Sequence, residues 1–342
     1  MRVVVFGATG NVGTSVVRAL AAEPAVASVL GVARRLPGLD LPGVDWAPAD
    51  VAVDDLRPLV DGADAVVHLA WRIQPARELN ELWRTNVVGT GRVLEAAAGA
   101  GVQAVVAASS VGAYSPGPKD RAVDESWPTN GVPTSFYARH KAEQERALAA
   151  CAERRPHMRV VALRPGLIFK REAASGIARL FLGPLLASGP GRAPLRHVVP
   201  DVPGLRFQAV HADDVAEAFR LALLGDARGA YNVAAEPVLD PPVLARLAGA
   251  RLVPVPAAAL RGAASLAWRL RLQPSPPGWI DLALGVPIMD CGRARHELGW
   301  EPRVSATDAL QELAEGIAAR AGAPTPPLES RAERPVQQEP AR

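Results

Sequence analysis

The sequence predicts an α/β fold, a doubly wound parallel sheet with a smaller mixed C-terminal part. Three observations point there. Through the first half, short apolar runs alternate with longer stretches of helical spacing. The runs are apolar throughout instead of alternating with polar residues, as strands covered on both faces are. A glycine-rich turn, Gly7-Ala8-Thr9-Gly10-Asn11-Val12-Gly13, follows the first run and opens the first helical stretch.

In chain order, strands are expected at residues 3–6, 28–33, 65–69, 104–108 and 159–163, with a third strand-like segment ending before Ala49. Helices are expected at 12–22, 78–98 and 135–154. After Pro165 the pattern loosens, with Gly and Pro clusters across 183–204 and a proline-rich stretch at 274–277. A strand at 206–210 still reads clearly. A helix opens at Asp214, which is read as its cap with Glu217 three residues on in a capping-box pattern. From residue 322 to 342 the chain is rich in Pro, Glu, Arg and Gln and lacks periodicity, which predicts a flexible tail.

Composition excludes several classes of function. The 342 residues are 49% hydrophobic, enough for a sizeable core, and 38 Lys+Arg against 35 Asp+Glu leave a net charge of +3. The arginines are interspersed with carboxylates, so nucleic acid is not an expected partner. Cys151 and Cys291 lie far apart without CxxC spacing, so neither a disulfide framework nor a metal site is expected. Residues 1–7 read as a strand running into a turn, not as a signal peptide, and arginines interrupt the longer apolar stretches. The expectation is a cytoplasmic protein with no membrane partner.

The turn at Gly7, Thr9, Gly10, Asn11, Val12 and Gly13 suits a dinucleotide. Glycines permit the tight turn and close backbone approach, and the helix N-terminus offers unpaired N–H groups to a pyrophosphate. A carboxylate for the ribose 2′-hydroxyl is expected after the second strand, where the chain instead carries Arg34 and Arg35. Guanidinium groups suit a 2′-phosphate, so NADP(H) is favoured with NAD(H) as the alternative, and two solvated loop arginines as the plain reading. Asp50 is a candidate adenine contact, or an ordinary turn aspartate.

Tyr137 and Lys141 are four apart and share one helix face. A fixed cation beside a phenol stabilises the phenolate and lowers its pKa, so Tyr137 can exchange a proton with a carbonyl or hydroxyl oxygen as hydride moves to or from nicotinamide. Ser109 and Ser110 end the strand at 104–108, and Ser110 can hydrogen-bond the reacting oxygen. Trp71, just beyond the strand at 65–69, either lines the nicotinamide or substrate pocket or packs in the interior.

Over roughly residues 1–315 the sequence resembles the extended short-chain dehydrogenase/reductases, the NAD-dependent epimerase/dehydratase group. The resemblance rests on the Gly7–Gly13 loop, Asp50, His68-Leu69-Ala70, Asn86-Val87-Val88-Gly89-Thr90, Ser109-Ser110, Tyr137 with Lys141, Arg164-Pro165-Gly166, and His211 through Ala216. It implies a Rossmann-like NAD(P)-binding domain over 1–165, rejoined by segments around 205–235, and a substrate-binding part over 166–315. It implies Ser110, Tyr137 and Lys141 as catalytic residues, Lys141 also holding the nicotinamide ribose, Asn86 in support and Ser109 as the fallback hydroxyl. Val51, Leu69, Ala70, Arg164 and Pro165 are implied at the cofactor, and Gly166 beside Trp71 and Ser110 in the substrate pocket. His68 is read as a packed strand-end residue, and His211 with Asp213 and Asp214 as no metal site.

Departures narrow the chemistry. Val111 and Gly112 stand where dehydratases of the group carry an acidic pair, and the Arg164–Lys170 stretch lacks the Asn and Tyr-Gly-Pro turn common in nucleotide-sugar members. The expectation is an NAD(P)-dependent oxidoreductase acting on a small carbonyl or secondary alcohol, with a sugar epimerase using the same residues as the alternative. A dinucleotide sensor without catalysis is disfavoured by the retained Tyr/Lys pair. The helices at 78–98 and 135–154 resemble those of the group's homodimer interface.

Overall fold

The computed structural model describes residues 1–74, 76–181 and 198–329. Strands β1 (Arg2–Phe6), β2 (Ser28–Ala33), β3 (Val44–Pro48), β4 (Ala65–His68) and β5 (Ala104–Ala108) form most of the main sheet. After the short β6 (Ala122–Val123), the sheet is completed by β7 (Arg159–Pro165), and at its far edge by β11 (Gly229–Val233). Its order is β11-β7-β5-β4-β1-β2-β3 and every pairing is parallel. Chain direction across the sheet reverses between β1 and β4, which opens a crevice at their carboxyl ends.

Alternation along the strands divides the core between the two faces. Val3, Val5, Val67 and Val106 belong to one cluster with helices Asn11–Ala21 and Ala212–Leu224, while Val4, Phe6, Val66 and Val105 join the helices on the other face. Val3 to Phe6 are all fully buried, each side chain contributing about 1.5–3 kcal/mol of hydrophobic stabilisation. Burial on both faces is why these strands read as unbroken apolar runs.

The expected helix at 78–98 is instead three consecutive pieces: Leu79–Trp83, a π-helical turn Arg84–Val88 and Gly89–Gly99. The π turn presents Asn86 inward, fully buried. Beyond β7, strand β8 (Leu167–Phe169) leaves the main sheet and pairs with β10 (Phe207–His211), which also pairs with β12 (Ala235–Leu239). Helix Ala306–Ala319 covers this small sheet through Ala306, Ala309 and Leu313. Two strand pairs complete the second half, β9 (Val198–Asp201) with β13 (Arg251–Pro254), and β14 (Ile288–Met289) with β6.

Asp214 is not the cap of its helix. The helix starts at Ala212, with the His211 side chain accepting from the Asp213 N–H, and Asp214 lies inside the first turn. Its two carboxylate oxygens accept the backbone N–H groups of Arg303 and Val304, both at 3.0 Å, and so clip the distant segment before helix Ala306–Ala319. Ala323 and Leu328, at the start of the expected tail, are buried against Ala173. The rest of that tail from residue 330, and residues 182–197 of the Gly/Pro clusters, lie outside the described residues.

Candidate active site

The crevice is built by glycines. Gly7 adopts φ +84°, and a Cβ there would lie 2.6 Å from Ala70 N and Leu69 C, so only glycine lets this turn lie against the end of β4. A Cβ on Gly13 would run into Gly7 O and Ala8. Gly10 differs: it is the N-cap of helix Asn11–Ala21 with no side-chain cap, no acidic residue follows in the first turn, and its added Cβ would meet nothing closer than Gly7 O at 3.4 Å. Uncapped helix N–H groups beside an open glycine form a cradle that fits a dinucleotide pyrophosphate. Asn11 Nδ2 donates to Ile168 O at 3.0 Å and ties the cradle to β8, Thr9 is buried, and Val12 packs on the core.

Arg34 and Arg35 are exposed after β2. Partial burial, and then the neighbouring Arg72 cation, hold the Arg34 guanidinium below its ordinary pKa. Asp50 closes an Asx turn, its Oδ1 accepting from Ala52 N at 2.9 Å. Val51 is buried, and a Cβ on Gly89 would come within 2.7 Å of its side chain. Asn86 grips the backbone of Arg72 from both sides, Arg72 N donating to Oδ1 and Nδ2 donating to Arg72 O, each at 2.8 Å. The loop carrying Trp71 is thereby fixed to the π turn.

Ser110, Tyr137 and Lys141 come together at the carboxyl end of β5. Ser110 Oγ accepts from Gly112 N at 3.0 Å, and it and the Tyr137 ring meet over the open face of Gly112. A Cβ on Gly112 would lie 2.8 Å from the Tyr137 ring, so the glycine gives the ring its place. Tyr137 stands at the start of helix Phe136–Arg154, whose N-cap Ser135 accepts from Ala138 N. One turn on, Lys141 Nζ donates to Ala108 O at 2.7 Å and Gln144 Oε1 at 2.9 Å, and lies 3.5 Å from the centre of the Trp71 ring.

The pKa pattern differs from the sequence expectation. Burial pushes Tyr137 up to about 12, opposed in part by the Ser110 hydroxyl. Burial also lowers Lys141 to about 7, opposed by the nearby Glu145 carboxylate. The ammonium is spent on two acceptors and the indole face instead of depressing the phenol.

Ser109 points the other way. Its hydroxyl donates to Glu145, which forms a two-pronged buried ion pair with Arg164, Nε to Oε1 and Nη2 to Oε2 at 2.8 and 2.9 Å. Arg164 Nη1 donates to the Tyr114 hydroxyl and to Glu125 O, both at 2.9 Å, and the Tyr114 hydroxyl donates to Asn232 Oδ1 at 2.7 Å. Every side-chain nitrogen of Arg164 is thus occupied within the protein. Pro165 pairs with Val233 in β11. Gly166 is buried where a Cβ would lie 2.5 Å from Gln208 O, so it serves the crossing of β8 onto β10 and not a pocket wall.

His68 is packed as expected. Its Nε2 lies 2.9 Å from Thr90 Oγ1, which itself donates to Asn86 O, so the ring nitrogen is the donor. Burial lowers its pKa to about 3 and keeps the imidazole neutral. His211 caps its helix with Nδ1 and sets Nε2 3.2 Å from Glu312, while Asp213 is exposed. Trp71 is half-buried and set edge-on to Tyr137 at 5.9 Å.

A family model described as the NAD dependent epimerase/dehydratase family matches residues 3–234. The chain belongs to that family. An uncharacterized protein of Mycobacterium tuberculosis is 27% identical over 325 residues, 94% of this chain and 31% of the relative. The human sterol-4-alpha-carboxylate 3-dehydrogenase, decarboxylating, is 28% identical over 169 residues, 49% of this chain and 44% of that enzyme. The chain therefore spans less than half the length of these curated relatives. The Thermus thermophilus UDP-glucose 4-epimerase in complex with NAD has the same fold, with TM-score 0.67, 21% identity, and coverage of 93% of this chain and 99% of the epimerase.

Within this family member, sequence reasoning missed residues that act through contact with the expected ones. Gln144 follows Lys141 at i+3, a spacing that could have marked it. Trp279 lies 5.0 Å from the Tyr137 ring, arriving from a helix 142 positions downstream with no motif to announce it.

Proposed function

We propose that this family member is an NAD(P)-dependent oxidoreductase that interconverts a carbonyl compound and a secondary alcohol. The meeting of Ser110 and Tyr137 around Gly112, at the carboxyl end of β5 beside Lys141, carries the reading. Ser110 and the Tyr137 hydroxyl hold the substrate oxygen. A phenol kept protonated by burial favours the reducing direction, in which Tyr137 gives its proton to the oxygen as the carbonyl carbon accepts hydride. Lys141, held by Ala108 O and Gln144, would hold the nicotinamide ribose when the dinucleotide is bound. Bound nicotinamide dinucleotide supplies or accepts the hydride.

Gly7, Thr9, Gly10, Asn11, Val12 and Gly13 would hold the pyrophosphate, with Asp50, Val51, Leu69 and Ala70 around the adenosine. Arg34 and Arg35 favour a 2′-phosphate and hence NADP(H), supported by the crowding of Arg34 with Arg72. The test is Tyr137→Phe. Turnover should fall by a factor of about 10² or more, while NADPH binds with unchanged affinity and more tightly than NADH. Full turnover in the variant would overturn the assignment of Tyr137, and equal affinities would overturn that of the arginines.

A further inference from the structure

The phenol of Tyr137 stands between two indoles brought from distant parts of the chain. Trp71 meets the ring edge-on at 5.9 Å, from the loop after β4. Trp279 lies 5.0 Å away at a tilt of 35°, from helix Gly278–Gly285, and touches Phe136 at 6.3 Å on its other side. This placement is built in. A Cβ on Gly278 would collide with the backbone of Thr134, so glycine there lets the helix rest on the residues just before Tyr137.

At the other end of the same helix, Lys119 Nζ donates to Ala283 O at 2.8 Å and to Arg206 O at 2.7 Å, and Arg206 Nη1 donates back to Lys119 O at 2.6 Å. These cations strap the helix that carries Trp279 to the start of β10.

We infer that the substrate is a compact apolar ring compound, an alicyclic or polycyclic secondary alcohol or its ketone, seated against Trp71 and Trp279. This rests on the reading of Ser110 and Tyr137 as the groups at the substrate oxygen. Indoles give a ring broad contact but cannot satisfy the several hydroxyls of a sugar, each of which costs about 1–3 kcal/mol if buried unpaired. In the step, the ketone carbon gains hydride from the dihydronicotinamide, its oxygen gains the Tyr137 proton, and the oxidised dinucleotide leaves.

The experiment incubates the full chain and NADPH with 2-decalone or 1-tetralone, and in parallel the oxidised dinucleotide with UDP-glucose, following dihydronicotinamide absorbance and analysing products. The bicyclic ketones should be reduced. Trp279→Ala should raise their KM roughly tenfold, Trp279→Phe should restore most of that loss, and NADPH affinity should stay the same in both. Conversion of UDP-glucose with the ketones inert would overturn the substrate class, as would no ketone turnover while NADPH binds, or an unchanged KM in Trp279→Ala. Tyr137→Phe separates the two levels. If it abolishes UDP-glucose conversion, the substrate class alone falls; if it leaves any observed turnover intact, the reading of the site falls with it.

Discussion

Ser109 and Ser110 are neighbours of the same residue type with opposite duties. Ser109 is drawn into the Glu145–Arg164 ion pair below, whereas Ser110 turns toward Tyr137 above. Ser109→Ala should therefore lower stability by about 1–3 kcal/mol through loss of a buried donor to a charged acceptor, with little change in turnover for the folded fraction. Ser110→Ala should cut turnover, at a stability cost of about 0.5–2 kcal/mol for the Gly112 N–H it leaves without an acceptor. Denaturant titration beside initial rates separates them, and the opposite pattern would reverse the assignment. The sequence left both serines open because a strand end does not say which way each side chain turns. Arg164 shows the same limit, since a motif position reveals nothing about the carboxylate that will capture its side chain.

Secondary structure in the first half was legible because strands such as β4 and β5 are buried on both faces, unlike the half-exposed edge strand β3. The strands at 28–33 and 104–108 coincide with β2 and β5. The break at Arg84–Val88 was not legible: a π turn keeps helical composition, and only the inward turn of Asn86 toward the Arg72 backbone distinguishes it. Nor was the true duty of Asp214, whose partners lie 89 and 90 positions away. Asp214→Ala should cost about 1–3 kcal/mol, because two partly buried N–H groups lose a charged acceptor. Hydrogen exchange should show the loss first at Arg303 and Val304, and protection unchanged there would refute the clip.

Across the whole molecule, buried bases shape how stability varies with pH, His68 and Lys141 among them. His68 falls to about 3 and Lys141 to about 7 in the folded state, both below their unfolded values near 6.5 and 10.4. The unfolded chain then binds more protons in each window, so stability rises with pH from about 3 to 6.5 and again from about 7 upward. Lys141→Met should stabilise the protein at neutral pH and remove up to about 1.4 kcal/mol per pH unit of slope between about pH 7 and 9.5. Denaturant titrations across that range provide the check, and parallel curves for the two proteins would refute it. The second half resisted reading at this scale too. Its strands pair with partners such as β6 with β14, separated by some 165 residues, and its site residue Trp279 acts through a fold that local patterning does not encode.

The space above Gly112 also bears on descent. A water-eliminating relative wants an acid beside the hydroxyl at Ser110, yet any side chain at 112 would press on the Tyr137 ring at 2.8 Å from its first carbon. Because that ring is fixed in the opening turn of a 19-residue helix, an ancestor of this chain could not drift toward dehydration by one substitution. The helix would have to shift first, and every intermediate on that path would work with a displaced phenol.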